Sequence, residues 1–339
     1  MPPDYLHNHK DFSALLDILE GETGIKAGLI EKDYWIMQVL YGLKKMGLDF
    51  ELKGGTSLSK GYKIIDRFPE DIDIYIHPPK ELEVNENPKT TKDKAVEGRK
   101  KFYDWLAGHI KIEGIIEKER DTEFDDPEYY RSGGVILKYE NQKDQVEGLK
   151  AGILLEAGFD TVTPNKEITI SSWAYDKAIE SIDIVDNRAV GIKCYHPGYT
   201  FVEKLQTIAK RFRLDQPDKK DKPNFMRQYY DVYCLLNDKE VLDFIGTKEY
   251  HTHKKNRFPA VDFEIPIAKN EAFLLTSAEV RADFKARYNS TKALYYKGQP
   301  NFDEQLGLTK KSVSSYEERE PTGNFVLFKK QNYYGQSYE

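Results

Sequence analysis

The tightest constraint in this sequence is a paired glycine followed closely by two aspartates one residue apart. The span reads Glu51-Leu-Lys-Gly-Gly-Thr-Ser-Leu-Ser-Lys60 and then Asp66-Arg-Phe-Pro-Glu-Asp71-Ile-Asp73-Ile-Tyr-Ile76. Gly54 and Gly55 permit a turn that residues with a β-carbon resist, and the alternation before them reads as the end of a strand. Thr56 and Ser57 read as an N-cap opening a short helix to about Tyr62. Such a helix start offers unpaired N–H groups and a positive dipole end, so Gly54, Gly55, Thr56 and Ser57 are candidate triphosphate contacts. Beyond it, Asp71 to Ile76 alternates polar and apolar with the period of a half-buried strand. Residues i and i+2 of a strand share a face about 6.6 Å apart, at a rise of about 3.3 Å per residue. Asp71 and Asp73 therefore face one cleft, at a reach that suits a pair of Mg²⁺ ions whose other ligands are water and substrate phosphates.

Asp and Glu account for 57 of 339 residues, so an acid-x-acid pair alone is expected by chance. Its place on an alternating strand just after a glycine turn and short helix is what gives it meaning. Other glycine signatures fail, because Gly55 and Lys60 do not have P-loop spacing and no G-x-G-x-x-G follows a strand.

Two further stretches carry chemistry. In Pro197-Gly-Tyr-Thr-Phe-Val-Glu203-Lys204-Leu and the residues after it, Phe201, Leu205, Ile208 and Phe212 fall on one stripe of a helix. Lys204 and Arg211 lie together on a flank of that stripe, where a lysine would neutralise a leaving pyrophosphate and an arginine would grip a triphosphate oxygen. In Arg227-Gln-Tyr-Tyr-Asp231-Val-Tyr-Cys-Leu-Leu236, Arg227 and Asp231 are spaced for an i,i+4 pair. A third carboxylate is sought on a neighbouring strand. Glu156 sits in the apolar run 151–159, where an acid is costly without a metal, proton or cation, and Asp160 just beyond is its rival. The run 134–139 is the expected antiparallel neighbour, across a polar turn near Asn141 to Glu147.

These motifs resemble the AbiEii/AbiGii nucleotidyltransferase toxin family, a branch of the DNA polymerase β-like superfamily related to the MenT-type toxins. The family pattern is a Gly-Gly-Thr-x-Leu turn, an Arg-Phe-Ser-Glu-Asp-Ile-Asp strand, a Thr-Phe-x-Glu-Lys helix and a Tyr-Tyr-Asp-Leu-Tyr helix; Pro69 stands here in place of the serine. The resemblance covers about residues 27 to 237. It implies a Mg²⁺-dependent transferase of a bacterial type IV toxin–antitoxin or abortive-infection system acting in phage defence. The NTP would be the substrate and a tRNA 3′ end the leading acceptor, with a winged-helix antitoxin encoded nearby. It also assigns Lys204 and Asp231 to the active site, beside Asp71, Asp73 and Glu156 as metal and catalytic carboxylates. Two alternatives stand beside it: an enzyme that modifies a small molecule of antibiotic type, and a module that binds NTP without turnover.

The expected fold is α+β, a mixed nucleotidyltransferase-type sheet flanked by helices with a helical C-terminal lobe. Residues 1–190 form the core lobe with helices at Phe12 to Gly21 and Gly28 to Lys45, 191–311 the helical lobe, and 312–339 a tail. A helix is expected near Val96 to Ile112, a loop or short helix over Glu119 to Gly134, and a mobile loop over Asp215 to Pro223. The net charge of −6 argues against a surface coated for indiscriminate nucleic-acid binding. Cys194 and Cys234 have no metal-ligand or disulfide-framework spacing. No apolar stretch is long enough to span a membrane, and Met1 to Lys10 is polar, so a cytoplasmic place is expected.

Overall fold

The computed structural model describes residues 2–69, 71–146, 149–160, 162–214 and 223–317. Seven strands make one mixed sheet: β1 (Phe50–Leu52), β2 (Asp71–Ile76), β3 (Ile115–Asp121), β4 (Ser132–Tyr139), β5 (Ile153–Gly158), β6 (Asn165–Ile170) and β7 (Ala189–Tyr195), in the order β3-β4-β5-β2-β1-β7-β6. β2 is antiparallel to β1 and parallel to β5, and β5 is antiparallel to β4, as the polar turn between them requires. The acid-bearing strand is thus central. The fold is α+β.

β2 shows why its sequence alternates. Ile72, Ile74 and Ile76 are buried on one face, while Asp71, Asp73 and Tyr75 are half-buried on the other. Each buried isoleucine contributes about 1.5–3 kcal/mol relative to an exposed one. α2 (Ala27–Lys45) and α4 (Asp93–His109) pack on that face of the sheet, α1 (Phe12–Thr23) packs on α2, and the short α3 (Gly54–Thr56) follows β1. Trp35 of α2 stacks on Tyr139 of β4 with ring centres 4.5 Å apart, and Phe102 of α4 meets Phe159 at 5.7 Å. With these helices on the isoleucine face, the aspartates are left on the open one.

After α5 (Trp173–Ala178) and β7 the chain is helical: α6 (Pro197–Leu214), α7 (Arg227–Leu235), α8 (Lys239–Phe244), α9 (Lys248–Arg257), α10 (Ala260–Phe263), α11 (Glu271–Leu274), α12 (Ala278–Asn289) and α13 (Phe302–Glu317). α6 buries Phe201, Leu205 and Ile208, with Phe212 packed at the edge of the same core. The sheet runs on through β7, past the boundary expected at residue 190, and α13 continues to Glu317 past the expected tail start at Ser312. The expected mobile loop falls on residues 215–222, outside the described residues.

The middle of the stretch Glu119 to Gly134 is the expected short helix and loop, a 3₁₀ turn at Thr122–Phe124 followed by residues 125–131, but its ends belong to strands, 119–121 to β3 and 132–134 to β4. β3 is an edge strand, and such strands carry charge without losing their pairing. Among the described residues no helix is long and apolar enough to cross a membrane.

Candidate active site

The glycine turn is shaped by what lies against it. The Lys53 amide donates to the Asp73 carbonyl at 2.9 Å, extending the β1–β2 ladder by one residue. Gly54 then takes a left-handed φ of 64°, and a β-carbon there would sit 1.9 Å from Asp73 Oδ2. A β-carbon on Gly55 would come within 2.8 Å of Arg67 Nη2. One glycine therefore admits a β2 carboxylate and the other a guanidinium.

The helix begins at Gly54, two residues earlier than the sequence suggests, and continues as a wider π turn over Ser57–Gly61. Thr56 and Ser57 consequently lie within the helix and do not cap it. The Thr56 hydroxyl donates to the Asp71 carbonyl, and the buried Ser57 side chain sits beside the Cys194 thiol. Neither hydroxyl points to the cleft, and the Ser57 amide donates to the Lys53 carbonyl at 3.3 Å, which leaves the backbone amides of 54–56 as the groups available to an anion.

Asp73 lies opposite Glu156 in the parallel β2–β5 register. Burial, and then the charge of Asp71, push the Asp73 carboxyl up to about 6; burial, then Asp73 and Asp71, push Glu156 up to about 8. Asp160, the rival third acid, is held by Arg257 through two bonds of 2.6 and 2.7 Å. Among the described residues no three His, Cys, Asp or Glu side chains are gathered tightly enough to hold an ion alone. The row of Asp71, Asp73 and Glu156 nevertheless fits Mg²⁺. It is an all-oxygen donor set whose members repel one another, and this ion completes its shell with water and phosphate oxygens.

The cationic wall is built differently. Asp231 of α7 is fully buried and receives Arg67 Nε at 2.6 Å, Arg67 Nη2 at 2.8 Å and Lys204 Nζ at 2.6 Å. Burial opposes its charge, but Arg67 and Lys204 override that and hold its carboxyl down at about 2. Lys204 also donates to Gln228 Oε1 at 2.9 Å and is only 7% exposed, so it does not simply reach out to water. Asp231 thus orients two cations from other elements. Arg211 is exposed two turns along α6, about 10 Å from Lys204 along the axis.

Arg67 was not singled out by sequence reasoning, although it lies inside the Asp66 to Asp71 stretch. Its partner is 164 residues away. The helical part of the chain also grips the backbone beside it: Tyr230 Oη accepts from the Asp66 amide at 3.0 Å, and the Leu294 carbonyl from the Phe68 amide at 2.9 Å. Lys53 and Arg227 were likewise missed as site residues, and both contribute to the field at Asp73. For Lys53 the available signal was its position immediately before Gly54.

Comparison with known proteins gives the family. A family model described as "Nucleotidyl transferase AbiEii toxin, Type IV TA system" matches residues 38–307. No curated protein matches. Among solved structures, the chain is similar to an antigenic nucleotidyltransferase-like protein from Paracoccidioides brasiliensis, with 14% identity, 76% of this chain and 93% of that one covered, and a TM-score of 0.34. The family match spans most of the chain, which belongs to the AbiEii nucleotidyltransferase toxin family.

Proposed function

We propose that this chain, as an AbiEii-family nucleotidyltransferase, transfers a nucleotide from Mg²⁺-bound NTP to a hydroxyl at the 3′ end of tRNA. In this reading it is the toxin of a type IV toxin–antitoxin pair in phage defence, acting in the cytoplasm and restrained by a winged-helix antitoxin. The observation that carries the chemistry is the row of Asp71, Asp73 and Glu156 on adjacent strands near the buried Lys204–Asp231–Arg67 triad.

Bound at Asp71, Asp73 and Glu156, two Mg²⁺ ions would neutralise the triphosphate and acidify the attacking hydroxyl. The chain supplies the rest. The amides of Gly54, Gly55 and Thr56 receive the phosphates, with Arg211 reaching an outer oxygen. The acceptor hydroxyl loses its proton to a carboxylate of this cluster. The acceptor oxygen attacks the α-phosphorus, the bond to the bridging oxygen of the β-phosphate breaks, and pyrophosphate leaves. Two of the three N–H donors of Lys204 are engaged by Asp231 and Gln228, which aims the remaining one at the developing charge. Asp231 and Arg67 act as positioning residues.

The test is incubation of the purified chain with Mg²⁺, each α-³²P-labelled NTP and total bacterial RNA, beside Asp71→Asn, resolved on a denaturing gel. Label entering tRNA only with the intact chain is expected. Label entering a small molecule, or NTP bound without pyrophosphate release, would overturn the tRNA reading.

A further inference from the structure

Lys53 occupies a position that the reaction as described leaves unused. The β1–β2 register places Leu52 opposite Ile74, so Lys53 continues opposite Asp73, to whose carbonyl its amide is bonded. Asp73 is in turn opposite Glu156. Lys53, Asp73 and Glu156 therefore form one row across three adjacent strands, on the open face of the sheet.

The Lys53 side chain crosses that row. Its ammonium lies 3.9 Å from where a β-carbon on Gly158 would stand, and Gly158 is on β5, beyond β2. The side chain is half-buried, and among the described residues its ammonium has no hydrogen-bond or ion-pair partner. A partly desolvated cation held beside two carboxylates, without pairing to either, is placed to meet a further anion.

The side of the row on which it lies indicates which anion. Lys53 is the cation acting most on both carboxylates; Lys204 and Arg227 follow it at Asp73, and Lys150 follows it at Glu156. Lys150 stands over the Phe124 ring at 3.6 Å, with a long 3.7 Å contact to Asp121, and is exposed. The β5 side of the row thus offers cations and an aromatic face, a combination suited to a single-stranded nucleic-acid end. Lys204 and the 54–56 amides serve the triphosphate elsewhere in the site.

We propose that Lys53 binds the acceptor, through the phosphodiester adjoining its attacking hydroxyl, with Lys150 on Phe124 extending the acceptor track beyond Glu156. This rests on the RNA-acceptor reading above and adds the residues that select a nucleic-acid end over a neutral small molecule.

The test measures binding without turnover. A fluorescent RNA hairpin with a short 3′ overhang is titrated with the full chain in Mg²⁺ without NTP, using the intact RNA and one whose last phosphodiester is a neutral methylphosphonate. Lys53→Gln and the neutral linkage should each weaken binding about tenfold, the size expected for a lost charge-assisted hydrogen bond. Combined, they should weaken it no further, while NTP affinity stays unchanged and Lys53→Arg restores most of the binding. Fold-losses that multiply, or a Lys53→Gln defect confined to NTP, would overturn the assignment even if tRNA is labelled. A chain that neither binds the hairpin nor labels RNA would overturn both this and the acceptor reading.

Discussion

The two walls of the cleft use the same residue type in opposite ways. Asp231 is fully buried yet held in the charged form, because Arg67 and Lys204 complete its contacts from within the chain. Asp73 and Glu156 are pushed toward the neutral form, because burial and neighbouring carboxylates outweigh the cations near them. In the proposed reaction the difference separates positioning from chemistry. A buried charge whose partners are internal rigidifies the fold, whereas carboxylates that repel one another are relieved by a bound cation. Lys204 joins the walls, being fixed by one and acting on the other.

The largest expected effect breaks the carboxylate wall. Asp73→Asn should lower nucleotidyl transfer by about a thousandfold or more, since it removes metal-held charge stabilisation. Its metal-free melting temperature should stay level or rise, because a repelling charge has gone. A large loss of stability in circular-dichroism melts would show that Asp73 is structural.

Asp231→Asn should do the reverse to stability. It leaves Arg67 and Lys204 without their shared counter-charge, and breaking such a buried pair costs about 3–5 kcal/mol, readable as a lower urea midpoint. Lys204→Ala should cut kcat about a hundredfold, the scale of losing one transition-state donor. A fully active Lys204→Ala protein would detach the cationic wall from the reaction.

The walls should also answer oppositely to pH. Asp73 and Glu156 have folded values raised to about 6 and about 8, above ordinary carboxylates. Their contribution to stability is therefore full below about pH 4 and is lost as pH rises through those values. Mg²⁺ should restore it, so the thermal shift on adding Mg²⁺ should be larger at pH 8.5 than at pH 5.5. Asp231, lowered to about 2, contributes stability above about pH 4 that is lost only as pH falls toward 2. An Mg²⁺ shift independent of pH would contradict the carboxylate half of this contrast.

The smallest effect concerns the join between turn and strand. Thr56→Val removes the hydroxyl bonded to the Asp71 carbonyl and should cost about 1 kcal/mol, with little change in NTP affinity. A large rise in KM for NTP would return that hydroxyl to the phosphate site.

How much was legible follows the range of each signal. β2 could be read because its alternation is local, and α1, α2 and α6 because their apolar stripes are. The β4–β5 pairing followed from two apolar runs joined by a polar turn. β3 was hidden because an edge strand needs no apolar alternation, and residues such as Glu117, Lys118 and Glu119 resemble a loop. The start of α3 was misplaced because the capping preference of Thr and Ser is weaker than the contact that draws Gly54 against Asp73. The Asp71, Asp73 and Lys204 motifs stood out in the sequence. The partners that set their environment did not: the Arg67–Asp231 pair and the Lys53–Asp73–Glu156 row exist only once distant segments have met.

The most direct test of the central claim is pyrophosphate release from NTP by the intact chain and by an Asp73→Asn protein of matched circular dichroism, with bacterial RNA and with or without Mg²⁺. Release that requires Mg²⁺ and RNA and vanishes in Asp73→Asn is the predicted result. Equal release by the two proteins, or none from the intact chain under any of these conditions, would contradict the account.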